Sequence, residues 1–181
     1  DAGASHADLT EDYAAIPREM GEVAAFFGQE VLGQVTEEQL LAQLDAVRSA
    51  CGDRAVLRAL HFFRDDRRVL RQREALEAGD FAAFLHCVRQ SGRSSFMYLQ
   101  NVSNYRDSRV QPVAVLLAAA EGLLEGEGAC RVHGGGFAGT IQAFVPLEKL
   151  DRFVSGMEAA AGAGNCHVLT IRSAGSVLLV D

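Results

Sequence analysis

Arg131-Val132-His133-Gly134-Gly135-Gly136-Phe137-Ala138-Gly139-Thr140 is the stretch from which the rest of the chain can be read. Four glycines in six positions remove Cβ atoms, allow positive φ and let several backbone N–H groups approach an anion or a substrate oxygen. The flanks read as strands. Ala129-Cys130-Arg131-Val132 precedes the glycines, and Thr140-Ile141-Gln142-Ala143-Phe144-Val145 follows, with Ile141, Ala143 and Val145 on one face. The unit is strand, glycine loop, strand, and the loop is where the chain is expected to meet a ligand.

That context bears on a tempting match. Gly134, Gly136 and Gly139 satisfy the spacing G-x-G-x-x-G of dinucleotide-binding folds, but the motif needs a helix N-terminus facing the pyrophosphate. Here a β-like run and then Pro146 follow, so any helix starts too late. A Walker-type phosphate loop is excluded because the only lysine, Lys149, follows Glu148 and not glycine.

A chain of 181 residues, 49% of them hydrophobic, can build one substantial core, so residues 1–181 are read as a single domain. A net charge of -7 argues against non-specific binding to nucleic acid. No apolar run is long enough to span a membrane and no secretory leader opens the chain, which points to the cytoplasm. Cys51, Cys87, Cys130 and Cys166 are widely spread without a C-x-x-C pair, and read as small apolar residues; a zinc site assembled from distant segments stays open. The chain begins at Asp1 without a methionine, which reads as the C-terminal portion of a longer protein.

Outward from the loop, the apolar periodicity is helical upstream and mixed downstream. A polar loop from His6 to Tyr13 is expected to lead into a helix beginning around Pro17, with Met20, Val23, Ala24 and Phe27 on its apolar face. Thr36-Glu37-Glu38-Gln39 has the capping-box pattern and predicts a helix to about Ser49, striped by Leu40, Leu41, Leu44 and Val47. A long helix is expected from Arg54 towards Ala78, stopping at Gly79-Asp80. It puts Arg64, Arg67, Arg68 and Arg71 on one side. Those arginines are either a phosphate clamp or, as composition favours, a solvated face partly neutralised by Asp65, Asp66 and Glu74. Further helices are expected from Phe81, from about Val113 and around Leu150 to Met157. Two closing strands, Cys166 to Arg172 and Val177 to Val180, would flank a turn at Ser173-Ala174-Gly175-Ser176. Helices followed by strand, strand, helix, strand, strand give an α+β fold, with helices packed on one face of a mainly antiparallel sheet.

With its flanks, the glycine stretch resembles the third motif of the galactokinase branch of the GHMP sugar kinases, G-S-R-M-T-G-G-G-F-G-G-C. His133 stands for a threonine, Ala138 for a glycine and Thr140 for a cysteine. Other stretches are similar as well. His6 to Tyr13 resembles H-S-L-A-x-S-x-Y, with Arg18 matching one arginine of the basic cluster beyond it. Arg58 to His61 resembles R-A-R-H, Leu76 to Phe81 resembles L-x-x-G-D-Y, and Ser91 to Ser95 resembles S-H-R-S-L. A segment from Phe96 to Val102 replaces the usual connection, and Gln111-Pro112 stands where Cys-Pro is usual.

The resemblance covers essentially the whole chain and implies the ferredoxin-like C-terminal domain of that family. It implies an active-site glycine loop of His133, Gly134, Gly135, Gly136, Phe137 and Gly139, and a sugar contact at Tyr13, which could instead only anchor a loop. His133 could donate to a ligand oxygen or simply replace a hydroxyl hydrogen bond at a strand end. The implied reaction transfers the γ-phosphoryl of ATP, with Mg2+, to the anomeric hydroxyl of galactose or a related monosaccharide. ATP and Mg2+ would be bound mainly by an N-terminal domain of the same enzyme, which carries the family's serine-rich phosphate loop and catalytic aspartate. Neither pattern occurs in this chain, so no catalytic residue is assigned to it. Two other readings remain: a catalytically silent relative that senses sugar and ATP, and a free-standing ferredoxin-like interaction module.

Overall fold

A buried charge sits where helical spacing would otherwise place an apolar residue. On the first helix, α1 (Thr10–Phe26), Ala15, Glu19 and Val23 recur every four residues and all three are buried. Arg58, only 2% exposed, occupies the same kind of position between Ala55 and Ala59 on a 25-residue helix. Its guanidinium donates to Glu19 at 2.9 Å and to the carbonyl of Leu99 at 3.2 Å, and Arg54 adds a second guanidinium to the same carboxylate. The structure, a computed structural model of the chain, describes residues 9–103, 105–137, 139–171 and 175.

Its elements run in order α1; a 3-10 turn at Leu32–Gln34; α2 (Glu37–Ala42); α3 (Leu44–Cys51); α4 (Asp53–Glu77); α5 (Phe81–Ser94); a π-helical turn at Ser95–Leu99; α6 (Pro112–Leu124); β1 (Ala129–His133); β2 (Thr140–Phe144); a 3-10 turn at Leu147–Lys149; and α7 (Leu150–Ala161). β1 and β2 are antiparallel, with Ala129 opposite Phe144 and His133 opposite Thr140. One core packs α1 to α4 around Val23, Leu40, Val47, Val56 and Phe63. Another packs α6 and α7 on the sheet through Leu116, Ala120, Cys130, Phe153 and Met157, with Ile141, Ala143 and Val145 against it, the face that alternation indicates. Burial pushes the Cys130 thiol up to about 12, as expected of a packed apolar residue. No helix among the described residues is long and apolar enough to cross a membrane.

Several expectations hold. Thr36 and Gln39 form the reciprocal capping box, the long helix ends before Gly79-Asp80, and helices begin at Phe81 and beside Val113. Others are corrected. The first helix begins at Thr10 and not near Pro17, because Glu11 and Asp12 suit its first turn and the Tyr13 N–H already bonds to the Leu9 carbonyl at 3.0 Å. Pro17 therefore lies inside α1 and Tyr13 is helical. The helix expected to run to Ser49 breaks at Gln43; Leu40 and Val47 are buried in the core and Leu41 and Leu44 stay exposed.

The arginine face is neutralised chiefly by Glu37 from α2, which pairs with Arg64 at 2.7 Å and with Arg67, while Arg68 pairs with Asp65. The fold is helix-dominated with a small antiparallel sheet, in keeping with α+β. Residues 166–171, expected as strand, make no ladder among the described residues. A strand exists only through its pairing, and the partner expected for this one, Val177–Val180, lies outside the described residues, as do Arg172 and most of the expected turn.

Burial would push the Glu19 carboxyl up, but the hydrogen bonds and charges of Arg54 and Arg58 outweigh it and hold the group below its ordinary value of 4.5. Removing that carboxylate strands Arg58. Glu19→Gln should cost about 3–5 kcal/mol of unfolding free energy in urea titrations at pH 7. Because the folded value is depressed, the stabilisation is present above pH 4.5 and lost as pH falls below it; the variant should lack that part of the acid loss.

Candidate functional site

Tyr13 and the glycine loop, 123 residues apart in sequence, meet in space: the tyrosine hydroxyl donates to the Gly136 carbonyl at 2.8 Å. The Tyr13 ring meets Phe137 edge to face, with centroids 5.1 Å apart, and Leu9 and Ile16 complete that small cluster. Phe137 is 2% exposed although its φ is +57°, so ring burial offsets a left-handed backbone that a residue with Cβ rarely adopts. A Cβ on Gly135 would overlap the Tyr13 ring, and one on Gly136, whose φ is +83°, would overlap the Asn101 carbonyl. Glycine is required at both by close approach.

Asn101, in the segment between α5 and α6, holds the loop from the other side. Its carbonyl accepts the Phe137 N–H, and its side-chain amide donates to the Gly135 carbonyl at 3.2 Å. Arg106, from the same segment, reaches Asp12 at 2.8 Å, beside Tyr13. His133, Gly134 and Gly135 are exposed at the strand end, whereas Gly136 and Phe137 are buried. The loop therefore has an anchored half and a presented half. Among the expected site residues, Tyr13, Gly135, Gly136 and Phe137 come into contact, and His133 and Gly134 extend the same surface. Gly139 returns the chain to β2 through its N–H to Gly136 at 3.1 Å. Ala138 lies outside the described residues.

A second polar network supports the strand that enters the loop. Arg131 donates to Ser91 Oγ at 2.6 Å, and Ser91 donates to Asp65 Oδ1 at 2.6 Å. Arg68 pairs with the same carboxylate, and His61 lies 3.8 Å from it while sharing a 2.9 Å hydrogen bond with Ser94. Burial opposes ionisation of Asp65, but Ser91, Arg68, His61 and Arg131 together hold its carboxyl below the usual range. The motif segments at Arg58–His61 and Ser91–Ser95 are two sides of this buried scaffold.

A galactokinase from Haemophilus influenzae is 29% identical over 149 residues, 81% of this chain. One from Pasteurella multocida is 31% identical over 135 residues, 74% of this chain. The chain is galactokinase-like.

Among solved structures, the crystal structure of Lactococcus lactis galactokinase complexed with galactose matches with a TM-score of 0.65 at 20% identity, covering 89% of this chain and 40% of that one. The galactokinase-like chain spans only about a third of its curated relatives, 36% of the Haemophilus influenzae protein and 33% of the Pasteurella multocida protein, consistent with a C-terminal portion. No family model matches the sequence. Sequence reasoning missed Asn101, Glu19 and the buried role of Arg58. Charges at the i, i+4 positions of buried helix faces were the available signal for the last two.

Two outcomes test this geometry. Gly134→Ala, where φ is +68° and no atom stands nearby, should cost about 1–2 kcal/mol, whereas Gly136→Ala, which adds overlap with backbone, should cost at least about twice that in chemical denaturation. Burial pushes His61 below its ordinary 6.5, against the attraction of Asp65 and with the repulsion of Arg68 and Arg131. Its neutral form is the folded one, so its stabilisation is complete above pH 6.5 and declines as pH falls below it. Unfolding free energy measured from pH 7.5 to 5 should fall less steeply in His61→Gln.

Proposed function

We propose that this chain is the C-terminal portion of an enzyme that transfers the γ-phosphoryl of ATP to the anomeric hydroxyl of galactose, and that it adopts the ferredoxin-like C-terminal fold of that family. The carrying observation is the junction of Tyr13 with the glycine loop, because it joins two motifs shared with galactokinases at one surface. Gly134 and Gly135 present backbone without side chains, which lets a sugar or phosphate oxygen come close, and His133 adds a ring at the same edge. Tyr13, whose hydroxyl holds the Gly136 carbonyl, is assigned as the sugar contact from α1.

When bound, ATP would supply the phosphoryl group and Mg2+ would neutralise charge on it. Of the four arginines that could form a clamp, Arg64, Arg67, Arg68 and Arg71, the first three are paired with carboxylates. Both cofactors are therefore assigned mainly to the N-terminal domain of the same enzyme, and this chain to one wall of the cleft. Phosphoryl transfer relies on positioning and charge stabilisation, so a wall that fixes the sugar contributes without a catalytic residue of its own.

The test is galactose-dependent ATP consumption by the full-length protein, with several monosaccharides compared. Turnover should be greatest on galactose, and Tyr13→Phe should raise the KM for galactose about fivefold, the worth of one hydrogen bond. The separate 181-residue chain should form no sugar phosphate. Absence of turnover on every sugar, with galactose still bound, would replace this reading with that of a silent sensor.

A further inference from the structure

Asn101 makes contacts that ordinary stability does not account for. It is 3% exposed, yet its side-chain oxygen Oδ1 is buried with no hydrogen-bond partner among the described residues, while its side-chain Nδ2 and its backbone carbonyl are both spent on the glycine loop. A buried acceptor left unpaired has lost its hydration without return. The amide cannot be turned to relieve this, because the rotated group would set Oδ1 against the Gly135 carbonyl that Nδ2 now serves. The segment carrying Asn101 is also the one that departs most from the galactokinase pattern.

We propose that Asn101 is a positioning residue of the ligand site: it sets the path of Gly135–Phe137, and through that path the affinity for the sugar. The inference rests on the proposed function for the identity of the ligand. Its structural half stands on the two bonds to the loop. The Asn101 carbonyl fixes the Phe137 amide, which keeps the ring of Phe137 against Tyr13. The Nδ2 group fixes the Gly135 carbonyl, and the peptide that follows it turns to offer the Gly136 carbonyl to the Tyr13 hydroxyl. Tyr13 and Asn101 thus grip adjacent peptide units from opposite sides, and the exposed Gly134–Gly135 edge is held between them. A loop with this many glycines would otherwise sample many conformations, and an ordered one spares the ligand that entropic cost on binding.

Asn101→Ala removes the Nδ2 donor, and Asn101→Asp keeps the shape but sets a carboxylate oxygen against the Gly135 carbonyl. The two variants keep the backbone carbonyl that accepts the Phe137 N–H, so any change in Phe137 exchange reads the lost Nδ2 tie on the loop. Both are to be made in the full-length protein. Three readouts are compared with wild type: the KM and kcat for galactose, the thermal midpoint, and the hydrogen-exchange rate of the Phe137 amide. The expected result is faster Phe137 exchange in both variants and a KM for galactose raised about tenfold, more than kcat falls, with Asp at least as impaired as Ala. A residue that only stabilised the fold would lower the thermal midpoint and leave the KM of the folded enzyme unchanged. Unchanged KM in both variants, or unchanged Phe137 exchange, overturns the proposal. Should the wild type bind no galactose, the functional reading falls separately, and the exchange rate alone then upholds or overturns the hold of Asn101 on the loop.

Discussion

Arg58 is the group on which the arrangement depends. A guanidinium cannot shed its charge, so once buried it must be surrounded by acceptors. The two that it finds, Glu19 and the Leu99 carbonyl, lie on different segments. Glu19 sits less than two helical turns after Tyr13 on α1, and Leu99 precedes Asn101 by two residues. The same cation therefore fixes the two segments from which the loop is gripped. Such a pair is a weak source of net stability compared with an apolar packing of equal volume. Its use here is directional, since an apolar core would tolerate rotation of α1 where paired oxygens and nitrogens do not.

The Asp65 network does for the strand what Arg58 does for the helix. Arg131, on β1 two residues before His133, is tied through Ser91 to Asp65 on α4, and α5 lies close enough that a Cβ on Gly92 would crowd the Arg131 side chain. Helix and strand thus approach closely at Gly92. The loop emerges from a strand braced against α5 and returns by β2, which pairs with it residue for residue. Both polar networks lead to the same seven-residue segment, His133 to Gly139.

Much of this was legible beforehand, for identifiable reasons. Capping at Thr36 and the strand alternation at Ile141 and Ala143 are local, written within a few residues. The α1 start was misjudged because Pro17 is a good first-turn residue, yet it is also tolerated inside a helix whose other contacts hold. The break at Gln43 has no counterpart in the apolar stripe, since Leu40 and Val47 are seven residues apart and an unbroken helix would also put them on one face. The pairing of Glu37 with Arg64 and Arg67 spans a chain reversal. Tyr13 and the loop could be named as site residues because each lies in a recognisable motif. Asn101 lies in a segment with no counterpart in that pattern, and its part follows only from two hydrogen bonds made across the fold.

The 123-residue separation of Tyr13 from its acceptor also fixes the order in which the domain can assemble. Helices α1 to α4 find one another through contacts of modest sequence span, and such contacts form early. Closing the Tyr13 junction must wait until the chain has been made past Phe137. At synthesis rates of about 5–20 residues per second that interval is roughly 6–25 s, far longer than helix formation or hydrophobic collapse requires. During it, Leu9, Tyr13 and Ile16 are an apolar strip on a completed helix that has not yet met Phe137. The loop surface thus forms well after the helix that carries Tyr13, and for those seconds that helix is exposed to association with the wrong neighbour.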